Sequence, residues 1–188
     1  MESRRRVNST FRRLTVMAKH VHCAFVILFF AVSVSSGQSS VPTDTVIKLH
    51  RFTEAFGVFP EYDLTIKSDG TVTFKQIAVP SLRNPHPSET GEPVKSKISV
   101  VTVAALVAEF ERVKFFSLRD RYWKEEDGCP GVIPDFTAAE ISIKVNGKSK
   151  TIFHYYGCVD KDQRTYPAEL ETLATKIDTL VNTKQWLK

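Results

Sequence analysis

The chain predicts an α+β fold in two layers: an antiparallel sheet of about five strands with two helices packed on one face. Two observations carry this expectation. YDLTIKSDGTVTFKQI and ISIKVNGKSKTIF alternate apolar and polar residues on either side of a tight turn. SVVTVAALVAEFERVKFF and YPAELETLATKIDTLVN instead repeat apolar residues at helical spacing. A helical stretch follows each hairpin, so the order also predicts a hairpin–helix pseudo-repeat.

The elements are justified in turn. TVIKLHRF, Thr45 to Phe52, alternates and reads as a strand. In the first hairpin Tyr62, Leu64 and Ile66 share one face by the strand period of two. A Ser68, Asp69, Gly70 loop then sets Ile66 opposite Val72 and Leu64 opposite Phe74. The segment 78–97 holds Pro80, Pro85, Pro87 and Pro93 with almost no apolar pattern, which predicts a long exposed loop. Val103, Leu106, Val107, Phe110 and Val113 form an apolar stripe behind a Ser99 cap. In the second hairpin Asn146-Gly147 is a strong turn signal; a two-residue turn places Ile141 across from Ile152, with the register near Lys148 left open. Pro167 in the first turn opens a last helix carrying Leu170, Leu173, Ala174, Ile177, Leu180 and Val181, ending near Asn182.

Ahead of this domain stand Arg4, Arg5, Arg6, Arg12, Arg13 and Lys19, then an apolar run from Ala24 to Val34, then Ser35, Ser36 and Gly37. Charge, apolar run and small residues in that order predict a secretory signal peptide over residues 1–37, with Met17 a second candidate start. The run is too short to span a membrane, which takes about 20 residues. The expected organisation is therefore a leader at 1–37, a flexible segment at 38–44 and one domain at 45–188. The expected location is periplasmic or extracellular, with no transmembrane segment in the mature chain.

Removing the leader takes the Lys and Arg count from 26 to 20 and the Asp and Glu count from 21 to 20. The formal charge of +5 thus belongs to the leader, and a nucleic-acid partner loses its main support. Removal also leaves two cysteines, Cys129 and Cys158. An even pair in an oxidising compartment predicts a disulfide. A zinc site built from Cys129, His154, Cys158 and Asp135 is disfavoured, because His154 and Cys158 stand about 12 Å apart on an extended strand. A Cys158 nucleophile with His154 as base lacks any nucleophile elbow. No metal, cofactor or catalytic residue is expected.

HRFTEAFGVFPEYDLTIKSDGTVTF resembles the opening signature of an uncharacterised family of small exported bacterial domains, Arg-Thr-x-Cys-x-Gly-x-Cys-Pro-x-Tyr followed by a strand and an Asp-Gly turn. The resemblance continues through FFSLRDRYW, PDFTAAEISI, HYYGC and the closing helix with Trp186. It implies export and a single α+β domain, and it names no reaction. The two signature cysteines fall on Ala55 and Phe59, whereas Gly57, Pro60 and Tyr62 remain. Chemistry carried by that cysteine pair is not expected here.

The aromatic and acidic residues around the second hairpin then form the candidate binding surface: Tyr122, Trp123, Asp127, Asp135, His154, Tyr155 and Tyr156. Aromatic rings on a surface suit a protein, peptide or envelope ligand. The rival expectation is a hydrolase or metal-dependent enzyme using Asp127, Asp135 and His154.

Overall fold

Side chains that alternate along the strands divide the molecule into a covered and an uncovered side. The computed structural model describes residues 40–52, 60–77 and 92–187. In chain order the strands and helices are β1 (Val46–Phe52), β2 (Glu61–Lys67), β3 (Thr71–Ile77), β4 (Val94–Lys97), α1 (Val100–Arg112), β5 (Arg121–Tyr122), β6 (Gly131–Val132), β7 (Ala138–Val145), β8 (Lys148–Tyr155), β9 (Cys158–Val159) and α2 (Ala168–Val181). Seven strands form one mixed sheet in the order β4-β3-β2-β1-β7-β8-β5, with β6 and β9 as a separate pair.

The first hairpin forms in the expected register, and the second takes the register of a two-residue turn. Leu64 faces Phe74 and Ile66 faces Val72 across β2 and β3. Ile141 faces Ile152 across β7 and β8. The connecting Asn146 and Gly147 both have positive φ, 52° and 72°, as a type I′ turn requires. The Asp44 carboxylate accepts both of their N–H groups, at 3.0 and 2.7 Å, and so ties the start of β1 to this turn. The two hairpins flank β1, which pairs antiparallel with both β2 and β7.

Two strands of the sheet were not anticipated, so it has seven rather than five, and the separate β6–β9 pair was not anticipated either. β4 takes the last four residues of the segment read as a Pro-rich loop. All four are exposed, and the strand exists by pairing with Thr71 to Phe74 of β3. An edge strand without an apolar face leaves no period to read. β5 is only two residues, lies parallel to β8, and is supported by the Phe153 N–H donating to Asp120 C=O at 3.0 Å. The remainder of the loop, at 78–91, and the signature segment with Ala55 and Phe59 lie outside the described residues.

Ile47, Leu49, Leu64, Ile66, Val72, Phe74, Ile141, Ile143 and Ile152 point to one side and join a single core with Val103, Leu106 and Phe110 of α1 and Leu170, Leu173, Ala174, Ile177 and Val181 of α2. Burying each such side chain stabilises by about 1.5–3 kcal/mol. Ser99 caps α1, its hydroxyl accepting Thr102 N–H at 3.0 Å. Asn182 at φ 58° ends α2, a left-handed stop that Asn tolerates. Two details differ from expectation. Pro167 is the N-cap of α2 rather than part of its first turn, and Leu180 is 37% exposed because it lies off the buried stripe. Among the described residues no helix is long and apolar enough to cross a membrane.

Candidate functional site

One row of polar side chains crosses the helix-covered face, where apolar residues are the rule. Arg51 continues the inward phase of Ile47 and Leu49 on β1, and Tyr62 stands directly across from it on β2. On α2, Asp178 lies one and two turns beyond the buried Ala174 and Leu170. Its carboxylate accepts Arg51 Nη2 at 2.7 Å and Nε at 3.2 Å, Tyr62 Oη at 2.5 Å and Thr183 Oγ1 at 3.1 Å. Arg51 also donates through Nη1 to the Tyr156 hydroxyl.

Burial opposes the charge on Arg51, but the neighbouring Tyr156, Asp178 and Tyr62 outweigh it and hold the guanidinium more firmly protonated than usual. Burial and then the Asp178 charge push the Tyr62 phenol up, and burial pushes Tyr156 up to about 12. At neutral pH the row is therefore one ion pair with two neutral phenols. Both oxygens of Asp178 are occupied, so the row acts as a fastening between α2 and the sheet. A cleft of about 330 Å3, lined by Tyr62, Asp178, Asn182 and Thr183 among others, opens at its edge.

His154 and Tyr122 continue the same row and are core residues. His154 is 0% exposed and Tyr122 is 5% exposed. Their rings meet edge to face with centroids 6.2 Å apart, and His154 meets Tyr156 in the same way at 5.1 Å. Only an N–H can face the Tyr166 carbonyl, so Nε2 carries the proton and donates across 3.1 Å. Nδ1 has no partner among the described residues. Burial lowers the His154 pKa from 6.5 to about 4, against the raising effect of the Tyr166 carbonyl and with a further lowering from Arg51.

The folded chain thus resists a proton that the unfolded chain accepts below pH 6.5. Stability is fully present above pH 6.5 and falls as pH drops toward 4, by about 3 kcal/mol for this residue. Urea midpoints at pH 7.5, 5.5 and 4.5 should fall in that order. His154→Leu should flatten the decline, and an unchanged acid limb in that variant would refute the assignment.

The question of the two cysteines is settled by a disulfide between Cys129 and Cys158, with Cα atoms 5.3 Å apart. This corrects any reading of them as zinc ligands or of Cys158 as a nucleophile. The loop carrying Cys129 is pinned to the sheet at further points. β6 pairs with β9, Ile133 N–H donates to Gly157 C=O at 2.7 Å, and Tyr155 Oη donates to Ile133 C=O at 2.9 Å. A side chain at Gly157 would collide with Ile133 C=O and the Tyr155 ring, so only glycine allows this close approach. Tyr155 is therefore a buried strut for the loop.

Among the described residues no group of three or more His, Cys, Asp or Glu side chains could hold a metal ion. The rival set Asp127, Asp135 and His154 is accordingly not assembled as a metal centre. Asp135 is exposed at a left-handed φ of 63° and His154 is sealed in the core. Of the seven candidate surface residues, Tyr122, His154, Tyr155 and Tyr156 are buried, and Trp123 is the large apolar side chain left on the surface, 46% exposed. A period-two reading places His154 and Tyr156 on the same face, but it cannot say that α2 covers that face.

Trp123 belongs to the opposite, uncovered side. It stacks on Phe153 with centroids 5.3 Å apart, Arg121 lies over its ring, and Phe153 meets Phe52 at 5.6 Å. Phe52 leads on to His50, whose Nδ1 lies 2.6 Å from Asp63 Oδ1 and whose Nε2 lies 3.4 Å from Glu61 Oε1. Beside this aromatic run is a cleft of about 430 Å3 lined by Lys48, His50, Phe52, Asp63, Thr65, Glu140 and Ser142 among others.

The molecule is thus a disulfide-stapled α+β domain whose sheet is covered by helices on one side and, among the described residues, carries no helix on the other. Residues 45–181 match the family described as a domain of unknown function, DUF6438, and the chain belongs to that family. The comparison with curated proteins finds no match.

Proposed function

We propose that the chain is an exported, non-catalytic binding domain for a protein, peptide or envelope component, and that its ligand lies on the bare side of the sheet. The observation that carries this reading is the run of exposed Trp123 on half-buried Phe153 and Phe52, bordering an open cleft about 430 Å3 in volume. Stacked rings beside a polar cleft can accept apolar and hydrogen-bonding parts of one ligand together. The covered side is occupied by its own core. Of the surface first expected, Trp123 is retained, while Tyr122, His154, Tyr155 and Tyr156 are buried.

Export is supported by the basic, apolar and small-residue order of residues 1–37 and by the Cys129–Cys158 bond, which persists in oxidising compartments. The protein recovered from an exporting host should begin near Gln38 by mass, and an intact leader on the exported protein would count against this part.

Capture of envelope material on the immobilised protein tests the binding reading. Trp123→Ala should weaken capture about tenfold, the effect of removing a central aromatic anchor. Thr172→Ala, on the exposed helix side, should leave it unchanged. Equal capture by both variants would sink the reading.

A further inference from the structure

The near-neutral charge count conceals a strongly segregated surface. Cross-strand pairing puts Lys97, Thr71, Lys67, Val46 and Lys144 in one row across the bare side of β4, β3, β2, β1 and β7. The next row runs Lys95, Thr73, Thr65, Lys48 and Ser142 over the same strands. Ten positions therefore hold five lysines, four hydroxyls and one valine, and no carboxylate. All five lysines are exposed, and none forms an ion pair with a described residue.

Beyond the first row, Asp44 and Asp69 accept backbone N–H groups of turns and also feel the charges of Lys144 and Lys97. The third row changes character to Lys75, Asp63, His50, Glu140, Phe153 and Arg121, and the 430 Å3 cleft lies where it meets the second.

We infer that these two rows bind an extended acidic polysaccharide, laid across the strands with its charged groups on the lysines. The inference rests on the proposed binding role of this side and names its ligand class. Lys97, Lys67 and Lys144 are on alternate strands, so their backbones stand about 10 Å apart in a line. That interval is close to two sugar rings, so a polymer with an acid on every second ring meets a lysine at each repeat. The intervening threonines and Ser142 are short hydroxyls suited to a sugar's own hydroxyls.

Two other polyanions fit less well. The rows contain neither arginine forks nor aromatic stacking platforms for a nucleic acid. Among them only Val46 could enter a lipid surface, too little for stable insertion.

The test uses the protein as recovered from an exporting host, with hyaluronate, which has an acid on every second ring, and heparin as acidic glycan probes. Dextran, duplex DNA and vesicles of 70% phosphatidylcholine and 30% phosphatidylglycerol serve as comparators. Binding to at least one acidic glycan is expected, falling steeply as salt rises from about 50 to about 300 mM because exposed charges are screened. Lys48→Gln/Lys67→Gln/Lys144→Gln should weaken it at least tenfold with an unchanged circular dichroism spectrum. Lys176→Gln, on the helix side, should not.

Absence of acidic-glycan binding, indifference to the triple change, or tighter binding to DNA or vesicles would overturn the inference. If Trp123→Ala still loses capture of envelope material while the acidic glycans fail, the ligand class is wrong and the binding role stands. If capture also ignores Trp123, both fall together.

Discussion

Asp178→Ala should destabilise the domain by about 3–5 kcal/mol, the usual cost of removing one partner from a buried ion pair. Arg51 and Asp178 are only 16% and 19% exposed, so the guanidinium left behind cannot recover its hydration. The loss is larger than one bond because Asp178 also accepts Tyr62 and Thr183, whose hydroxyls become unpaired together. For a domain of this size the melting temperature should fall by roughly 6–20 °C. Urea unfolding should show a lower midpoint with an unchanged slope. Replacing both partners, as Arg51→Met/Asp178→Leu, should recover much of the loss, since apolar packing can substitute for a pair but not for half of one. A single variant within 1 kcal/mol of the parent would show that the row carries little stability.

Removing the disulfide should cost about 3–4 kcal/mol. The bond closes a separation of 29 residues, and the chain-entropy estimate for a loop of that length is about 3.6 kcal/mol. Both sulfurs lie in the core, Cys129 at 4% and Cys158 at 0% exposure, so Cys129→Ala/Cys158→Ala leaves no unpaired polar atom and isolates the effect of the crosslink. The melting temperature should fall by about 7–14 °C. The segment from Cys129 to Ile133 should be the first to gain proteolytic sensitivity, while the Tyr155 hydroxyl bond to Ile133 still retains part of the strap. A variant as stable as the parent, or one cleaved first elsewhere, would contradict the role given to the staple.

These two features were not equally legible. The disulfide followed from the two cysteines outside the N-terminal stretch read as a leader and from the compartment that reading implies. The Arg51–Asp178 pair did not follow, although each residue carried a signal. Arg51 is a charge in phase with Ile47 and Leu49, and Asp178 is a charge in the stripe with Leu170 and Ala174. Either is explained locally by solvent. Their complementarity appears only when residues 127 positions apart are brought together.

Local chemistry by itself determined the two hairpins, both helices, the Ser99 cap and the covered side of β1, β2, β3, β7 and β8, because turn residues and periods of two and 3.6 act within a few positions. It also determined the charge count and the cysteine count. Only the tertiary structure decided where those charges stand. Stacking five strands in register turned scattered lysines into two carboxylate-free rows, and docking α1 and α2 on the opposite side buried Tyr122, His154 and Tyr156 while leaving Trp123 in water. Strand order and helix placement are set by packing between distant segments, so no stretch of the chain contains that information alone.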